Sequence, residues 1–297
     1  MQVSRVVSAD VLRQVKTIEL RTRRLVTTLF SGEYRSVFRG QGMEFAEVRA
    51  YEQGDDYRAV DWNVSARMGS PYVKTFHEER ELTLLLVVDR SGSEEFGDPA
   101  TKAQVGVEVA AVLALAAARQ NDRVGALIFA DAVEHVVRPR KGRRHALRVI
   151  RDLVAFEPSS ARTNLATALA YAARLLRHRA VIVVLSDFRA TGWEDQLARM
   201  TRVHEVVAVT VDDPREFDLP AVGWIELQDA ETGHRVLVDT AHEPTRVHAS
   251  MMAEQQRLRR ARTFARLQVD HVALRTDHPY AEALHETFAR RARRLRR

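Results

Sequence analysis

The period of the apolar positions changes along this chain, and the changes predict three segments. Residues 1–30 contain apolar side chains at helical spacing from residue 8 onward, which predicts an N-terminal amphipathic helix. Residues 31–80 carry short alternating pieces rich in glycine, charge and aromatic side chains, which predicts a small β-rich insert or subdomain. From residue 81 to 297, short continuous apolar runs alternate with helical patterns, as in a chain of β-α units.

The third segment predicts an α/β fold with a doubly wound, mainly parallel sheet. Strands buried on both faces read as continuous apolar runs, and we expect the sheet strands at 82–89, 122–130, 133–140, 180–188, 205–213 and 270–276. The strand at 133–140 should lie at an edge because it contains a proline. We expect helices at 99–120, 145–156, 164–178 and 242–267, and the first of these should begin at Pro99 with Asp98 as its N-cap.

Two further segments complete the domain. Residues 222–240 predict a β-hairpin insertion that turns at residues 231–233. The C-terminal segment has apolar residues at helical spacing, which favours a docked helix with its arginines in water.

Composition and charge narrow the function classes. The 297 residues include no cysteine, which excludes disulfides, zinc-thiolate sites and thiol catalysis. The formal net charge is +6, and the six arginines of residues 290–297 account for all of it. A body without excess charge argues against a large nucleic-acid footprint, so we expect no nucleic-acid partner. Because no apolar run is long enough for a membrane span and no secretory signal is visible, we expect a cytoplasmic protein.

Oxygen-bearing side chains follow the two most apolar strands. LTLLLVV is followed by Asp89, with Ser91 and Ser93 at alternate positions beyond it, while AVIVVL is followed by a serine and Asp187. Thr163 stands just ahead of a predicted helix. Each residue alone could be a turn former, an N-cap or a strand-end acceptor. Ligands of parallel sheets, however, bind outside the carboxyl ends of the strands, and this donor set without histidine or cysteine suits Mg²⁺ or Mn²⁺.

The pattern Asp89-x-Ser91-x-Ser93, with Thr163 and Asp187, resembles the metal-ion-dependent adhesion site of von Willebrand factor type A domains. The resemblance implies that the two serines bind the metal directly and that the threonine and the acids bind it directly or through water. It also implies that an acidic residue of a partner protein completes the shell of ligands.

Longer motifs resemble the bacterial family called domain of unknown function 58. They include FRGQGMEFAEVRAYEQGDDYRAVDWNVSAR at 38–67, NDRVGALIF, LSDF and DAETG. The resemblance implies a partnership with AAA-type ATPases of the MoxR group, beside which members are usually encoded, in chaperone-like or protein and metal-centre maturation tasks. The chain departs from the family in lacking N-terminal membrane helices and in carrying Glu94 where Met is usual. Glu94 could be an additional metal ligand or a rim group.

The block at 38–67 is unusually rich in opposite charges beside an aromatic residue. Such density predicts a structural ion-pair network under an aromatic lid, and a partner-docking surface is the alternative. The residues concerned are Arg49, Asp55, Asp56, Arg58, Asp61, Trp62 and Arg67. Gly40-x-Gly42 in the same block lacks the third glycine of a phosphate loop, and the sequence has no Walker A motif, so the chain is not itself the ATPase.

These features favour a non-enzymatic, metal-dependent protein-interaction module. The alternative is a Mg²⁺-dependent phosphohydrolase with Asp89 as its nucleophile. Phosphatases of the haloacid type place a second aspartate two residues after the first, and Ser91 at that position cannot serve as a proton shuttle. A serine hydrolase is disfavoured because Ser91 lies outside any G-x-S-x-G motif.

Overall fold

The chain divides into two compact units in the computed structural model, which describes residues 9–30, 43–78 and 82–295. One unit is Arg39–Leu82, and the other joins Met1–Phe38 to Thr83–Arg297. Gly40 and Gly42 of the rejected phosphate loop lie outside the described residues.

Helices and strands follow one another along the described residues. The helices are α1 (Ala9–Phe30), α2 (Trp62–Met68), α3 (Lys102–Arg119), α4 (Arg143–Val154), α5 (Leu165–Leu175), α6 (Glu194–Thr201), α7 (Glu243–Arg266) and α8 (Tyr280–Leu295). The strands are β1 (Met43–Ala50), β2 (Tyr72–Glu78), β3 (Thr83–Asp89), β4 (Arg123–Phe129), β5 (Val133–Arg140), β6 (Val181–Leu185), β7 (Glu205–Asp212), β8 (Trp224–Gln228), β9 (Arg235–Asp239) and β10 (Asp270–Arg275). Within these described ranges, none of the helices combines the length and apolar character needed to cross a bilayer.

The larger unit is built on a six-stranded sheet with the order β10-β7-β6-β3-β4-β5. All neighbouring pairs are parallel except β4 and β5, which confirms the doubly wound, mainly parallel class. The antiparallel strand β5 lies at the edge, as its proline predicts. The chain leaves β3 toward β4 on one side and returns to β6 on the other, so the strand order reverses between β3 and β6. Such a reversal opens a crevice outside the carboxyl ends of the two strands.

Helices cover both faces of this sheet. Leu85 and Val87 of β3 belong to a core cluster with α5, α6 and Phe264 of α7. Leu84 and Leu86 alternate with them and therefore point to the opposite face, where α3 packs on β3 and β4 and is itself contacted by α1 and α4. Because both faces are covered, β3 is buried from Leu84 to Asp89. The acid at its end is thus removed from water by the fold itself.

Helix α3 begins three residues later than the sequence analysis predicts. Thr101, rather than Asp98, is the N-cap, and the helix starts at Lys102. The Thr101 hydroxyl accepts from the Gln104 backbone nitrogen at 3.2 Å, and the Gln104 side-chain oxygen accepts from the Thr101 backbone nitrogen at 3.1 Å. This reciprocal capping box satisfies two donors, which a start at Pro99 would not do. The shift places Lys102 in the first turn of the helix.

The smaller unit pairs β1 and β2 antiparallel, with a bulge between Phe45 and Glu47. It is not purely β, because α2 lies between the two strands in sequence. The Asp61 carboxylate caps α2 by accepting from the backbone nitrogens of Asn63 and Val64. The helix therefore begins where an acidic side chain satisfies its free amide groups.

Among the described residues of the charged block, the ion pairs are local and no aromatic lid covers them. Arg49 forms a two-point ion pair with Asp55 at 2.7 and 2.8 Å, and Lys74 pairs with Asp61 at 3.3 Å. Asp56 caps a short 3₁₀ turn instead of joining them. Trp62 is 70% exposed, so it shields no buried charge. The prediction of a lid is wrong because the acids serve local turns and helix ends. Arg58 and Arg67 are exposed residues of this unit.

Two features lie at the end of the larger unit. Strands β8 and β9 pair antiparallel with each other as a separate two-stranded sheet, and this hairpin follows β7 in the chain. In α8, Leu284 and Phe288 are buried, as the helical spacing predicts, but Arg291 is buried as well and pairs with Asp270 and Glu205. The expectation that the arginines of this helix lie in water is wrong for Arg291.

Candidate metal centre

The site begins where β3 ends. Asp89 is 2% exposed, and its Oδ1 accepts from the Ser91 backbone nitrogen at 2.9 Å. This bond turns the chain into a short 3₁₀ turn at Gly92–Glu95, and the Ser91 and Ser93 hydroxyl oxygens lie 3.3 Å apart. The alternating acid and serines therefore converge at the strand end.

The neighbouring strand β6 supplies the second half of the site. Ser186 and Asp187 follow its last residue, and the Ser186 hydroxyl donates to Asp89 Oδ2 at 2.7 Å. The Asp187 backbone nitrogen donates to Glu94 Oε1 at 3.0 Å. Parallel neighbours in a sheet end at the same edge, so residues far apart in sequence meet here.

Three buried carboxylates come together at this edge. One oxygen from each of Asp89, Glu94 and Asp187 lies within 4.8 Å of the others. Glu94 is 4% exposed, so it belongs to the cluster and is not a rim residue. Burial, reinforced by the charge of Asp187, raises the pKa of Asp89 to about 7, and burial raises the pKa of Glu94 well above its usual range although Lys102 opposes that rise. Both shifts mean that the negative charge of these two acids is not fully compensated by the protein.

Lys102 is a buried cation that the sequence analysis missed. Its Nζ lies 3.2 Å from Asp187 Oδ2 and 2.9 Å from Glu216 Oε1, and its side chain is fully enclosed. Burial alone would lower the lysine pKa, but Asp187, Glu94 and Glu216 raise it. Burial likewise opposes ionisation of Asp187, yet Lys102 and Arg189 lower the pKa of that carboxyl. The negative charge of Asp187 is thus compensated by cations of the protein, whereas that of Asp89 is not.

Thr163 lies beside the serine turn but takes a different partner. The Gly92 backbone nitrogen donates to the Ala161 carbonyl at 2.8 Å, which brings the loop before α5 against the turn. The Thr163 hydroxyl donates to Glu231 Oε1 of the hairpin at 2.8 Å. The structure therefore gathers Asp89, the two serines and Asp187 into one cluster, and it gives Thr163, whose role as a metal ligand stays a prediction, a contact with the hairpin.

The missed residues left only weak signals in the sequence. Lys102 is a single charge at the start of an otherwise apolar helix, and Ser186 precedes Asp187 directly. Glu216 completes a capping box with Asp213. None of these signals points to another segment, because the contacts depend on how the segments meet in the fold.

The donor set fits a hard divalent cation. All candidate ligands are oxygens, and burial raises the pKa values of two of the three carboxylates. The residues that could hold such an ion are Asp89, Ser91, Ser93, Glu94 and Asp187. When bound, Mg²⁺ or Mn²⁺ would supply the positive charge that Asp89 and Glu94 lack.

The sheet topology defines a doubly wound α/β domain, and the strand-end cluster is its candidate site. The chain belongs to the family described as protein of unknown function DUF58, whose model matches residues 47–259. This confirms the family resemblance of the sequence motifs.

Relatives of similar length occur in mycobacteria. The chain is 34% identical over 284 residues to the uncharacterized protein Rv1480 of Mycobacterium tuberculosis, covering 94% of this chain and 89% of that protein. A shorter match of 51 residues, 41% identical, is to the uncharacterized protein YeaD of Bacillus subtilis and covers 17% of this chain and 13% of that protein.

Solved structures also match parts of the chain, at low sequence identity. The conserved hypothetical protein BatB from Bacteroides thetaiotaomicron matches with a TM-score of 0.45 and 14% identity, over 71% of this chain and 99% of that chain. The SpRpn10 VWA domain matches with a TM-score of 0.40 and 12% identity, over 69% of this chain and 93% of that chain.

Proposed function

We propose that this protein is a non-enzymatic protein-interaction module that depends on a bound divalent cation, Mg²⁺ or Mn²⁺. The observation that carries the proposal is the buried cluster of Asp89, Glu94 and Asp187 with the hydroxyls of Ser91 and Ser93 at one edge of the sheet. Buried carboxylates that repel each other raise the free energy of the folded state, and a bound cation would offset that repulsion.

The chemistry of the cluster favours recognition of an acidic group. Neutral hydroxyls contribute no negative charge, and Asp187 is already paired with Lys102. A cation held there would keep part of its positive charge and could accept a carboxylate from another protein. We therefore expect the partner to present an aspartate or glutamate at its contact surface.

The partner that we propose is a MoxR-type AAA ATPase, acting with this protein in chaperone-like or maturation work in the cytoplasm. Support comes from membership of the DUF58 family, since the motifs at 38–67 and at DAETG resemble members usually encoded beside such ATPases. The chain carries no Walker A motif of its own, so an ATPase partner would supply the nucleotide chemistry.

Co-purification tests this proposal. The chain is mixed with the MoxR-type ATPase encoded nearest to it, in buffer with Mg²⁺ or with EDTA. We expect a complex in Mg²⁺ that is lost in EDTA and in Ser93→Ala. Ser250→Ala on α7 is the matched control and should bind as the wild type does. A complex that forms equally well in EDTA and in Ser93→Ala would show that the cluster is not the docking point.

The hydrolase alternative has less support. Asp89 is 2% exposed, and its two oxygens accept hydrogen bonds from the Ser91 nitrogen and the Ser186 hydroxyl. A nucleophile needs a free, accessible lone pair aimed at the substrate. A screen of generic phosphatase and esterase substrates with and without Mg²⁺ tests the hydrolase alternative. If the protein shows Mg²⁺-dependent turnover that Asp89→Asn loses, the protein is a hydrolase and the interaction proposal is wrong.

A further inference from the structure

The tip of the β8–β9 hairpin lies directly on the serine turn. A Cβ atom at Gly92 would stand 2.5 Å from the Ala230 carbonyl oxygen, so only glycine fits beneath the hairpin tip. The adjacent residue Glu231 accepts the Thr163 hydroxyl at 2.8 Å. Two independent contacts therefore place a carboxylate of the hairpin beside the serine turn of the candidate metal centre.

The hairpin turn fixes the direction of Glu231. Asp229 Oδ1 accepts from the backbone nitrogens of Glu231 and Thr232 at 3.0 and 2.7 Å and from the Thr232 hydroxyl at 2.8 Å. Gly233 closes the turn with a φ of 71°. Glu231 is half-buried, whereas Asp229, Ala230 and Thr232 around it are exposed. The turn is thus built to hold this one side chain inward.

The rest of the hairpin is largely exposed. Its root is anchored by Thr240, which is fully buried and donates to the Gly223 carbonyl at 2.7 Å. Between root and tip, Trp224 is 66% exposed and Leu237 is 63% exposed. In the part of the chain that the structure describes, the hairpin strands hydrogen-bond as strands only to each other. An element with so little buried surface can lift from the site at small free-energy cost.

We propose that Glu231 is an internal acidic ligand of the metal centre, which occupies the position that a partner's carboxylate would take. This inference rests on the proposed function. Binding of an acidic partner would then require that the hairpin tip be displaced, so the strength of the Glu231 contact sets how readily the protein accepts its partner.

A merely structural role makes a different prediction. If Glu231 only ties the hairpin to Thr163, then Glu231→Gln should change little, because the glutamine oxygen can still accept the threonine hydroxyl. Glu226 on β8 provides a matched control, since it is a glutamate of the same hairpin that is exposed and paired with Arg235. Glu231→Gln removes the charge beside the metal centre, and Glu226→Gln removes a charge elsewhere on the hairpin. Comparing the two variants therefore separates an effect at the site from a general effect of hairpin charge.

The experiment uses Mn²⁺ alone as the probe of the site. Calorimetry gives its affinity, and water-proton relaxation reports how many exchangeable waters the bound Mn²⁺ carries. We expect Glu231→Gln to bind Mn²⁺ about tenfold more weakly and with higher relaxation per bound ion. Added acetate, standing for a partner's carboxylate, should lower that relaxation at a concentration about fivefold below the one needed for the wild type. Glu226→Gln should match the wild type in Mn²⁺ affinity, in relaxation per bound ion and in the acetate concentration needed.

Hydrogen exchange gives a second readout that does not depend on affinity. Amides at 224–239 should become more protected when Mn²⁺ is added to the wild type and should not in Glu231→Gln, with circular dichroism as the check that the variant is folded. Equal affinity, relaxation and protection in the two glutamine variants would overturn the inference while leaving an Asp89-dependent metal site intact. Absence of Mn²⁺ binding in the wild type would overturn the proposed function and the inference together.

Discussion

Lys102 and Asp187 form an ion pair that protein encloses completely, with Nζ 3.2 Å from Oδ2 and side-chain exposures of 0% and 1%. The same ammonium group also bonds to Glu216. The candidate metal centre therefore contains a fully buried positive charge supplied by the chain, beside the partly exposed Arg189. That charge lies on the Asp187 side of the cluster.

Replacing Lys102 by methionine should destabilise the protein strongly. Asp187 and Glu216 would lose their enclosed partner and keep only the partly exposed Arg189, which lies 3.9 Å from Asp187 and 2.9 Å from Glu216, so we expect a cost of about 3 kcal/mol. Mg²⁺ should restore more stability to this variant than to the wild type, because an added cation can offset the lost one. Urea unfolding with and without Mg²⁺ measures both effects. Lys74→Met, which removes a partly exposed pair with Asp61, should cost much less stability and show no Mg²⁺ rescue.

Asp89→Asn should abolish Mn²⁺ binding and leave the fold intact. Asparagine can accept from the Ser91 nitrogen and, because the Ser186 hydroxyl can rotate, donate to that hydroxyl, but it removes a carboxylate whose pKa is raised to about 7 by burial and by Asp187. Because the ionised acid is costly in the folded state above that pH, the metal-free variant at pH 8 should be more stable than the wild type by on the order of 1 kcal/mol. Calorimetric titration and thermal unfolding decide it. Unchanged Mn²⁺ affinity, or an unfolded variant, would count against the site.

Arg260→Met should lower both the stability of the protein and the metal affinity of the site, although Arg260 is not itself a candidate ligand. Arg260 binds both oxygens of Asp212 at 2.7 and 3.0 Å and donates to the Asp187 carbonyl, so it fixes the backbone that carries Asp187. We expect a loss of about 3–5 kcal/mol in unfolding free energy and a Mn²⁺ affinity lowered by about tenfold. Arg257→Met is the control on the same helix, since Arg257 pairs with the partly exposed Glu254. If both variants bind Mn²⁺ equally, Arg260 has no positioning role.

Stability should fall between pH 6.5 and 4 because of His271. Burial, reinforced by the charge of Arg260, lowers the pKa of His271 to about 4 in the folded protein, although Asp212 opposes that change. A histidine in the unfolded chain has a pKa of about 6.5. As the pH falls through this window the unfolded chain takes up a proton that the folded chain does not, which favours unfolding by on the order of 3 kcal/mol.

Urea unfolding at several pH values tests this prediction in His271→Gln, which can still bond to the Thr210 hydroxyl. The variant should lose less stability than the wild type across the window. His278→Gln replaces an exposed histidine paired with Asp277 and should follow the wild-type profile. Parallel profiles for all three proteins would contradict the assignment to His271.

Removing residues 292–297 should not change nucleic-acid binding, because we expect that binding to be negligible before and after truncation. The formal charge of +6 equals the charge of the six arginines after residue 289, and Arg291, which stays in the truncated chain, is already paired with Asp270 and Glu205. Fluorescence anisotropy with duplex DNA and with RNA at low salt is the measurement. A tight complex with steep salt dependence that disappears on truncation would refute the expectation.

The apolar pattern predicts the part of the site that local sequence controls. LTLLLVV and AVIVVL are typical of strands covered on both faces, so Asp89 and Asp187 can be assigned to strand ends, and a parallel sheet brings such ends to one edge. The predicted start of α3 is wrong because Asp98 and Pro99 resemble a helix start, whereas the Thr101–Gln104 capping box determines the actual one.

Tertiary contacts account for what the sequence could not predict. Lys102 and Asp187 are 85 positions apart, and Thr163 and Glu231 are 68 apart. No periodicity or turn signal says which of two distant segments will meet. The hairpin is predicted from its own alternation, but its approach to Gly92 depends on how its root is held at Thr240.

The bond between Ser186 and Asp89 joins positions 97 apart, at the ends of two strands that pair side by side. The oxygens of the candidate centre are consequently scattered in the nascent chain and adjacent only when β6 has taken its place beside β3. Any binding that needs the whole cluster therefore requires that β6 has paired with β3. A partner that binds this edge would therefore select molecules in which these two strands have paired over those in which they have not.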